Sequence, residues 1–239
     1  MSLRLQSERS RRAWKASART RTRRSRFSLE SLEHRLVPAS FTVNSLADIL
    51  NPGPGVITLR SAIQMANQTP GSDTINIAVP GTYKITLPQT GAHDNAGGAF
   101  TIIPNAAAPK NTVITIQNTS NGTVVVDGNH LDRVFDINPN NATAVAPFTV
   151  VMQGFTVQNG IAQPGDAAAG SGGGIRDQGN VNLALSNMTI TKNVATADGG
   201  GISMENPTVS TFWTLTISNR RQLSGSTKSG RAVIIAAST

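Results

Sequence analysis

Two different motifs in this chain recur at one interval. Gly172-Gly-Gly-Ile175 returns as Gly199-Gly-Gly-Ile202, and Asn187-Met-Thr-Ile-Thr191 returns as Thr214-Leu-Thr-Ile-Ser218, each 27 residues on. A fixed period shared by two motifs marks a solenoid. An earlier copy is Gly154-Phe-Thr-Val-Gln158. Its Val157 lies 33 residues before Ile190, and the loop Gln163-Pro-Gly-Asp-Ala-Ala-Ala-Gly170 accounts for the longer interval as an insertion. The unit carries no helical periodicity. It is long enough for one circuit of three short strands, with successive circuits stacked about 4.8 Å apart. Ile175 then lies over Ile202, and Ile190 over Ile217. Glycine triplets fit sharp bends, because Gly accepts positive φ. Asn187 and Asn193 are candidates for ladders of side-chain amides at such bends.

The rest of the chain agrees. From residue 73 on, short alternating runs separated by Gly, Pro, Asn or Asp read as strands: Thr74–Val79, Tyr83–Leu87, Ala99–Ile103, Thr112–Gln117, Thr123–Val126, Arg133–Ile137, Phe148–Val151 and Gly154–Gln158. No second helical segment interrupts them, so the fold class is all-β. One short amphipathic helix precedes them. Leu59, Ala62, Ile63 and Ala66 share a face, Thr58 or Ser61 caps its start, and Thr69-Pro70-Gly71 stops it. Aromatics make up only 4% of the residues, so the core must come mainly from Ile, Val, Leu and Ala. There is no cysteine, which excludes disulfides and Cys-type zinc sites.

The net charge of +8 belongs to the ends. Residues 1–35 hold 11 Lys/Arg against 3 Asp/Glu, and residues 220–239 hold 4 against none, whereas residues 36–219 hold 6 against 10. A nucleic-acid binder carries its positive charge on the folded face that meets phosphate, so no specific nucleic-acid partner is expected. Residues 1–26, with Arg11, Arg12, Arg19, Arg21, Arg23, Arg24 and Arg26, form a basic tail expected to be disordered. Ser10-Arg-Arg-Ala-Trp-Lys15 resembles a twin-arginine export signal but lacks the apolar stretch that should follow. No run is long enough to span a membrane. Residues 220–239 turn abruptly basic where another glycine-rich bend is due near residue 226. A truncation or frame change is expected there, with self-association through the carboxy-terminal coil.

Gly-Gly-Gly-Ile followed by a strand and Asn187-Met-Thr-Ile-Thr-Lys-Asn193 resembles the repeats of pectate-lyase-like right-handed parallel β-helix proteins. Thr123-Val-Val-Val-Asp-Gly-Asn-His-Leu-Asp-Arg-Val-Phe-Asp-Ile137 resembles an early coil of that family. Phe41–Asp48, Ile57–Asn67 and Asp73-Thr-Ile75 together resemble the amino-terminal cap of bacterial adhesin-like members. Ile57-Thr-Leu-Arg-Ser-Ala62 stands where some of these carry Cys-Ser-Leu-Arg-Glu-Ala. Leu29–Ala39 resembles a leader found ahead of such domains in large bacterial surface proteins. The resemblance covers residues 27–219 and implies a right-handed parallel β-helix with a short amino-terminal cap helix. Its divisions are a tail at 1–26, a leader-like segment at 27–40, a cap at 41–80, coils at 81–219 and an atypical tail at 220–239. It implies a secreted or cell-surface location and, as partners, glycans or other surface proteins.

The fold hosts lyases and hydrolases as well as adhesins, so activity must be argued from residues. The weak candidates for catalysis are Asp127, Asp132, Arg133 and Asp136. Pectate-type lyases use carboxylates to hold Ca²⁺ and a basic side chain to remove a sugar proton. A structural reading weighs more. Asp127-Gly128 is a turn dipeptide, and Asp132 and Asp136 flank a strand whose Val134 and Phe135 cannot both face inward. Asp166, Asp177 and Asp198 lie near glycines without the calcium-binding nonapeptide pattern. Gly170-Ser-Gly-Gly-Gly174 lacks the Lys-Ser/Thr of a phosphate loop and reads as a bend. His34, His93 and His130 read as lone surface histidines with no metal spacing. The sequons at Asn67, Asn118, Asn121, Asn141 and Asn187 are expected by chance in an Asn- and Thr-rich chain. No catalytic site, cofactor or metal is therefore assigned. The expected function is a non-catalytic extracellular module presenting a Thr/Asn-rich face, the alternative a polysaccharide lyase or glycoside hydrolase.

Overall fold

The computed structural model describes residues 38–139, 147–162, 170–197, 199–204 and 209–218, with Leu215 the only described side chain of the last stretch. All lie within one compact unit, Leu36–Thr239. The segments expected to be a tail and most of a leader, the loop at 163–169, His34, Asn141, Asp166, Asp198 and the carboxy-terminal stretch from 219 lie outside the described residues.

The chain opens with β1 (Ala39–Val43) and α1 (Leu59–Gln68). Three strands follow, β2 (Asp73–Ile77), β3 (Gly81–Lys84) and β4 (Phe100–Ile102). The next three are β5 (Val113–Asn118), β6 (Val124–Asp127) and β7 (Phe135–Ile137). Then come β8 (Phe148–Gln153), β9 (Thr156–Gln158), the short β10 (Ile161–Ala162) and β11 (Ile175–Asp177). The last are β12 (Val181–Thr191), the short β13 (Val194–Ala195), β14 (Ile202–Met204) and β15 (Val209–Ser218). Every pairing between these strands is parallel.

The pairings form three long ladders, while β10 pairs with β13 apart from them and β15 pairs with β12. The first runs β1-β2-β5-β8-β12, the second β3-β6-β9-β12 and the third β4-β7-β11-β14. The long β12 passes unbroken through the bend at Asn187 and so joins the first two ladders into one sheet. This all-β arrangement, with one helix among the described residues, is compatible with a β-helix-like solenoid. The expected stacking of Ile175 on Ile202 and of Ile190 on Ile217 is present in the register.

Alternation explains the core. Ile75, Ile116, Met152 and Leu185 form one buried row across the first ladder. Tyr83, Val126, Val157 and Ile190 form another across the second, and Phe100, Phe135, Ile175 and Ile202 a third. Each such side chain contributes roughly 1.5–3 kcal/mol on burial. A one-residue slip would expose a whole row, so the register is strongly fixed.

The helix closes the amino-terminal end. Thr58 caps it, its hydroxyl accepting from Ser61 N–H while the Ser61 hydroxyl accepts from Thr58 N–H, so both candidate caps act as one box. Leu59, Ala62, Ile63 and Ala66 are buried against β1, β2 and β4. Arg60, on the same helix, is buried as well. Its Nε donates to Asp48 Oδ1 at 2.5 Å and its Nη2 to Asp48 Oδ2 at 3.2 Å, and its remaining donors reach the carbonyls of Asn95, Gly98 and Ala99. Asp48 Oδ2 also accepts from Thr86 and Leu87 N–H, so the pair is fully satisfied.

One expectation is corrected. Val134 and Phe135 are both fully buried. Alternation would expose one of them only if the third sheet had a free outer face, and it has none. Its outer row, Thr101–Asp136–Arg176–Ser203, is buried as well.

Candidate functional site

That covered outer row holds the densest chemistry of the described residues. β7 places Asp136 directly opposite Arg176 of β11. Arg176 donates from Nε to Oδ1 at 2.8 Å and from Nη2 to Oδ2 at 2.6 Å, a two-pronged clamp. Arg133 Nη1 lies 3.4 Å from Oδ2, and His93 Nδ1 lies 3.0 Å from the same oxygen. A carboxylate beside two guanidinium groups only accepts, so His93 Nδ1 carries the proton. Arg133 and Asp136 are fully buried, Arg176 is 1% exposed, and the His93 side chain is 11% exposed.

The electrostatics follow from this packing. Burial pushes the Asp136 carboxyl up. The hydrogen bonds from His93 and Arg176, with the charges of Arg176 and Arg133, outweigh it and hold the group below the usual carboxylate range. Asp132 goes the other way. Burial raises it, more than the N–H groups of Ala99 and Arg133 and the Arg133 charge lower it, and the Asp136 charge adds to the rise. Asp132 Oδ2 accepts from Ala99 N–H at 2.9 Å and Oδ1 from Arg133 N–H at 2.7 Å. Two carboxyls driven apart in this way resemble an acid–base pair. Here both are spent on protein donors and covered.

Residues 93–95 lie over the Thr101–Asp136 end of the row, and the bends at Gly172 and Gly199 lie beside Arg176 and Ser203. Besides His93, the first of these segments contributes Asn95, whose Oδ1 accepts from Thr101 N–H and whose Nδ2 donates to the Arg60 carbonyl. The reading of His93 as a lone surface histidine is thus corrected: its backbone turns at φ 50° and points the ring inward to Asp136. His130 is exposed.

Asp127 lies apart. Its Oδ1 accepts from Asn129 N–H, and its Oδ2 accepts from Gln158 Nε2 and Asn159 Nδ2 in the next circuit. It closes a turn and ties two circuits together. Asp177 occupies the core-side register position between Ile137 and Met204, and its Oδ1 accepts from Gly179 N–H. Asn193 is fully buried and links circuits through backbone: it accepts from Gly160 N–H and donates to the Val157 carbonyl. Asn187 is exposed at a bend. Among the described residues no group of three acidic or histidine side chains is placed to hold a metal ion, and no helix is long and apolar enough to cross a membrane.

The structure therefore joins Arg133 and Asp136, sets Asp132 beside them on separate partners, and leaves Asp127 outside. It adds His93 and Arg176, which the sequence reading did not place. Phe135-Asp-Ile137 and Ile175-Arg-Asp177 share one pattern, an apolar residue followed by a charge, and that is the signal that pairs them. Their 40-residue separation departs from the 27-residue period, which hid it. Comparison of the chain with protein-family models, with curated proteins and with solved structures finds no match.

Proposed function

We propose that this chain is a right-handed parallel β-helix module of a secreted or surface-attached bacterial protein, acting by binding rather than catalysis. Parallel strands joined by a crossover connect right-handedly in nearly all known cases, which supports the hand. The outer face of the first ladder carries the functional reading. Thr42, Asn76, Gln117, Gln153 and Ser186 stand in one register row, and Ser40, Thr74 and Thr115 in a second. Gln117 Nε2 donates to Asn76 Oδ1 and Asn76 Nδ2 to Ser40 Oγ, so the amides brace one another into a flat polar surface. This is a face suited to presenting hydroxyls and amides to glycans or surface proteins.

The lyase or hydrolase alternative draws on Asp132, Arg133 and Asp136. Those groups are buried and engaged with one another or with backbone, which favours a structural role. Two measurements test the proposal. Purified protein incubated with polygalacturonate and Ca²⁺ should release no unsaturated product, and turnover abolished by Arg133→Ala would overturn the reading. Protease added to intact source cells should cleave the protein, and retention in the cytoplasm would overturn its location.

A further inference from the structure

We infer that the groove at the corner between the first and second ladders binds an uncharged polysaccharide, an inference that rests on the surface-module reading. The chain turns this corner in three successive circuits: between β5 and β6, at Gly154 between β8 and β9, and at Asn187 within β12. The turns leave a groove of about 310 Å³ lined chiefly by Asn118, Thr123, Gly154, Thr156, Asn187 and Thr189.

Its floor is fixed. Asn118 Nδ2 donates to the carbonyls of Gly122 and Gly154, each at 3.0 Å, and its Oδ1 accepts from Ser120 N–H at 2.9 Å. Its rim is available. Thr156 stands over Thr189 in the register, Thr123 and Asn187 are exposed, and these four side chains make no hydrogen bond among the described residues. A ligand therefore meets preset hydroxyls and amides over a rigid base, with little ordering cost on the protein side.

The chemistry selects the ligand. Among the described residues no charged side chain lines the groove, which leaves an anion without a partner there, and the acidic balance of residues 36–219 disfavours one further. Phe155, the one aromatic among the described lining residues, is 3% exposed and offers no stacking surface to a nucleobase. Recognition falls to hydrogen bonds with an uncharged partner. Three circuits at the parallel-strand spacing extend about 10 Å, so matching hydroxyls must recur along an extended chain. Neutral polysaccharide meets both conditions. Because each contact displaces water, affinity should be modest, with Kd on the order of 1 mM or below.

The test is titration calorimetry of the full chain with cellohexaose, mannohexaose and hexagalacturonate. At least one neutral hexasaccharide should bind, and hexagalacturonate should bind more weakly. The double variant Thr156→Ala/Thr189→Ala should weaken neutral binding about tenfold with an unchanged melting temperature, and Thr156→Arg, which fills the groove, should abolish it. Gln117→Ala/Gln153→Ala, on the flat face, distinguishes that surface from the groove as the seat of the sugar. Binding unaffected by either groove variant overturns the inference. Loss only in the flat-face variant also overturns it, while leaving the module reading intact. No binding of either neutral sugar overturns it as well, whereas failure of the module reading is read separately from surface exposure on cells.

Discussion

A buried position and an exposed one two residues apart show how abruptly the end of a strand interrupts alternation, which alone would set both on one face. Ile190 is fully buried between Val157 and the register partner Ile217, whereas Lys192 is exposed at φ 57°. Ile190→Asp should cost several kcal/mol, since it buries an unpaired carboxylate. Lys192→Asp should change stability by less than about 0.5 kcal/mol, because Asp tolerates that backbone well. Urea denaturation of both variants measures the difference, and equal midpoints would contradict the inward placement. Asp73 occupies a core row beside Ile114, with only Oδ1 bonded, to Ala39 N–H. Burial raises its carboxyl above the usual 3.8, the Ala39 hydrogen bond opposing this. The folded state therefore holds the proton more tightly than the unfolded chain. The stability this confers is present below pH 3.8 and is lost as the pH rises through the elevated value. Asp73→Asn keeps the acceptor and removes the charge. It should be at least as stable as the parent at pH 7, with that advantage shrinking toward pH 3; denaturation at the two pH values reads it. The alternation of Ile75 and Ile77 was legible in the sequence. That their row begins with an acid was not, because one carboxylate at a strand start also fits an exposed edge.

At the scale of elements, the glycine triplets do two jobs. Gly172 and Gly199 turn the chain at φ 68° and 62°, as bends require. Gly173 does something else. A Cβ there would fall against the Val194 carbonyl oxygen, well inside contact distance, because neighbouring circuits bring their backbones together at this corner. Gly173→Ala should therefore destabilise by a few kcal/mol, although its φ is ordinary for Ala. Gly53→Ala meets nothing within 4 Å and should be neutral, or stabilising by up to about 1 kcal/mol. Thermal melts of the two variants separate close approach from backbone freedom; a mild Gly173→Ala would mean the circuits lie farther apart. The sequence marks these positions as bends through the repeat itself. Close approach depends on which backbone passes overhead, and period alone does not say that. The same limit hid the Asp136–Arg176 clamp, whose partners lie on adjacent strands at an interval lengthened by an insertion.

Across the whole molecule, circuits vary in length, from 41 residues between Ile75 and Ile116 to 27 between Leu185 and Phe212. Only the last interval repeats cleanly, so the sequence reveals the stack at its carboxy-terminal end and the cap through its helix pattern. The circuits between are identified by alternation. A stack of this kind has mainly nearest-neighbour coupling, so damage at one end should weaken locally. Asp48 and Arg60 provide the test. Arg60→Ala leaves the Asp48 carboxylate buried without its guanidinium, a loss on the order of 3–5 kcal/mol. It also frees the carbonyls of Asn95, Gly98 and Ala99, which Arg60 holds ahead of β4, and removes the cation lying 4.7 Å from the Phe100 ring centre. Strands β2 and β4 lie against the helix, whereas β12 stands three strands beyond β2 in the first ladder. Hydrogen exchange of the variant should show faster exchange in β2 and β4 while the amides of Leu183, Leu185 and Ile190 keep most of their protection. Equal acceleration across all ladders would show instead that the stack unfolds as one cooperative unit, with the cap pair stabilising every circuit alike.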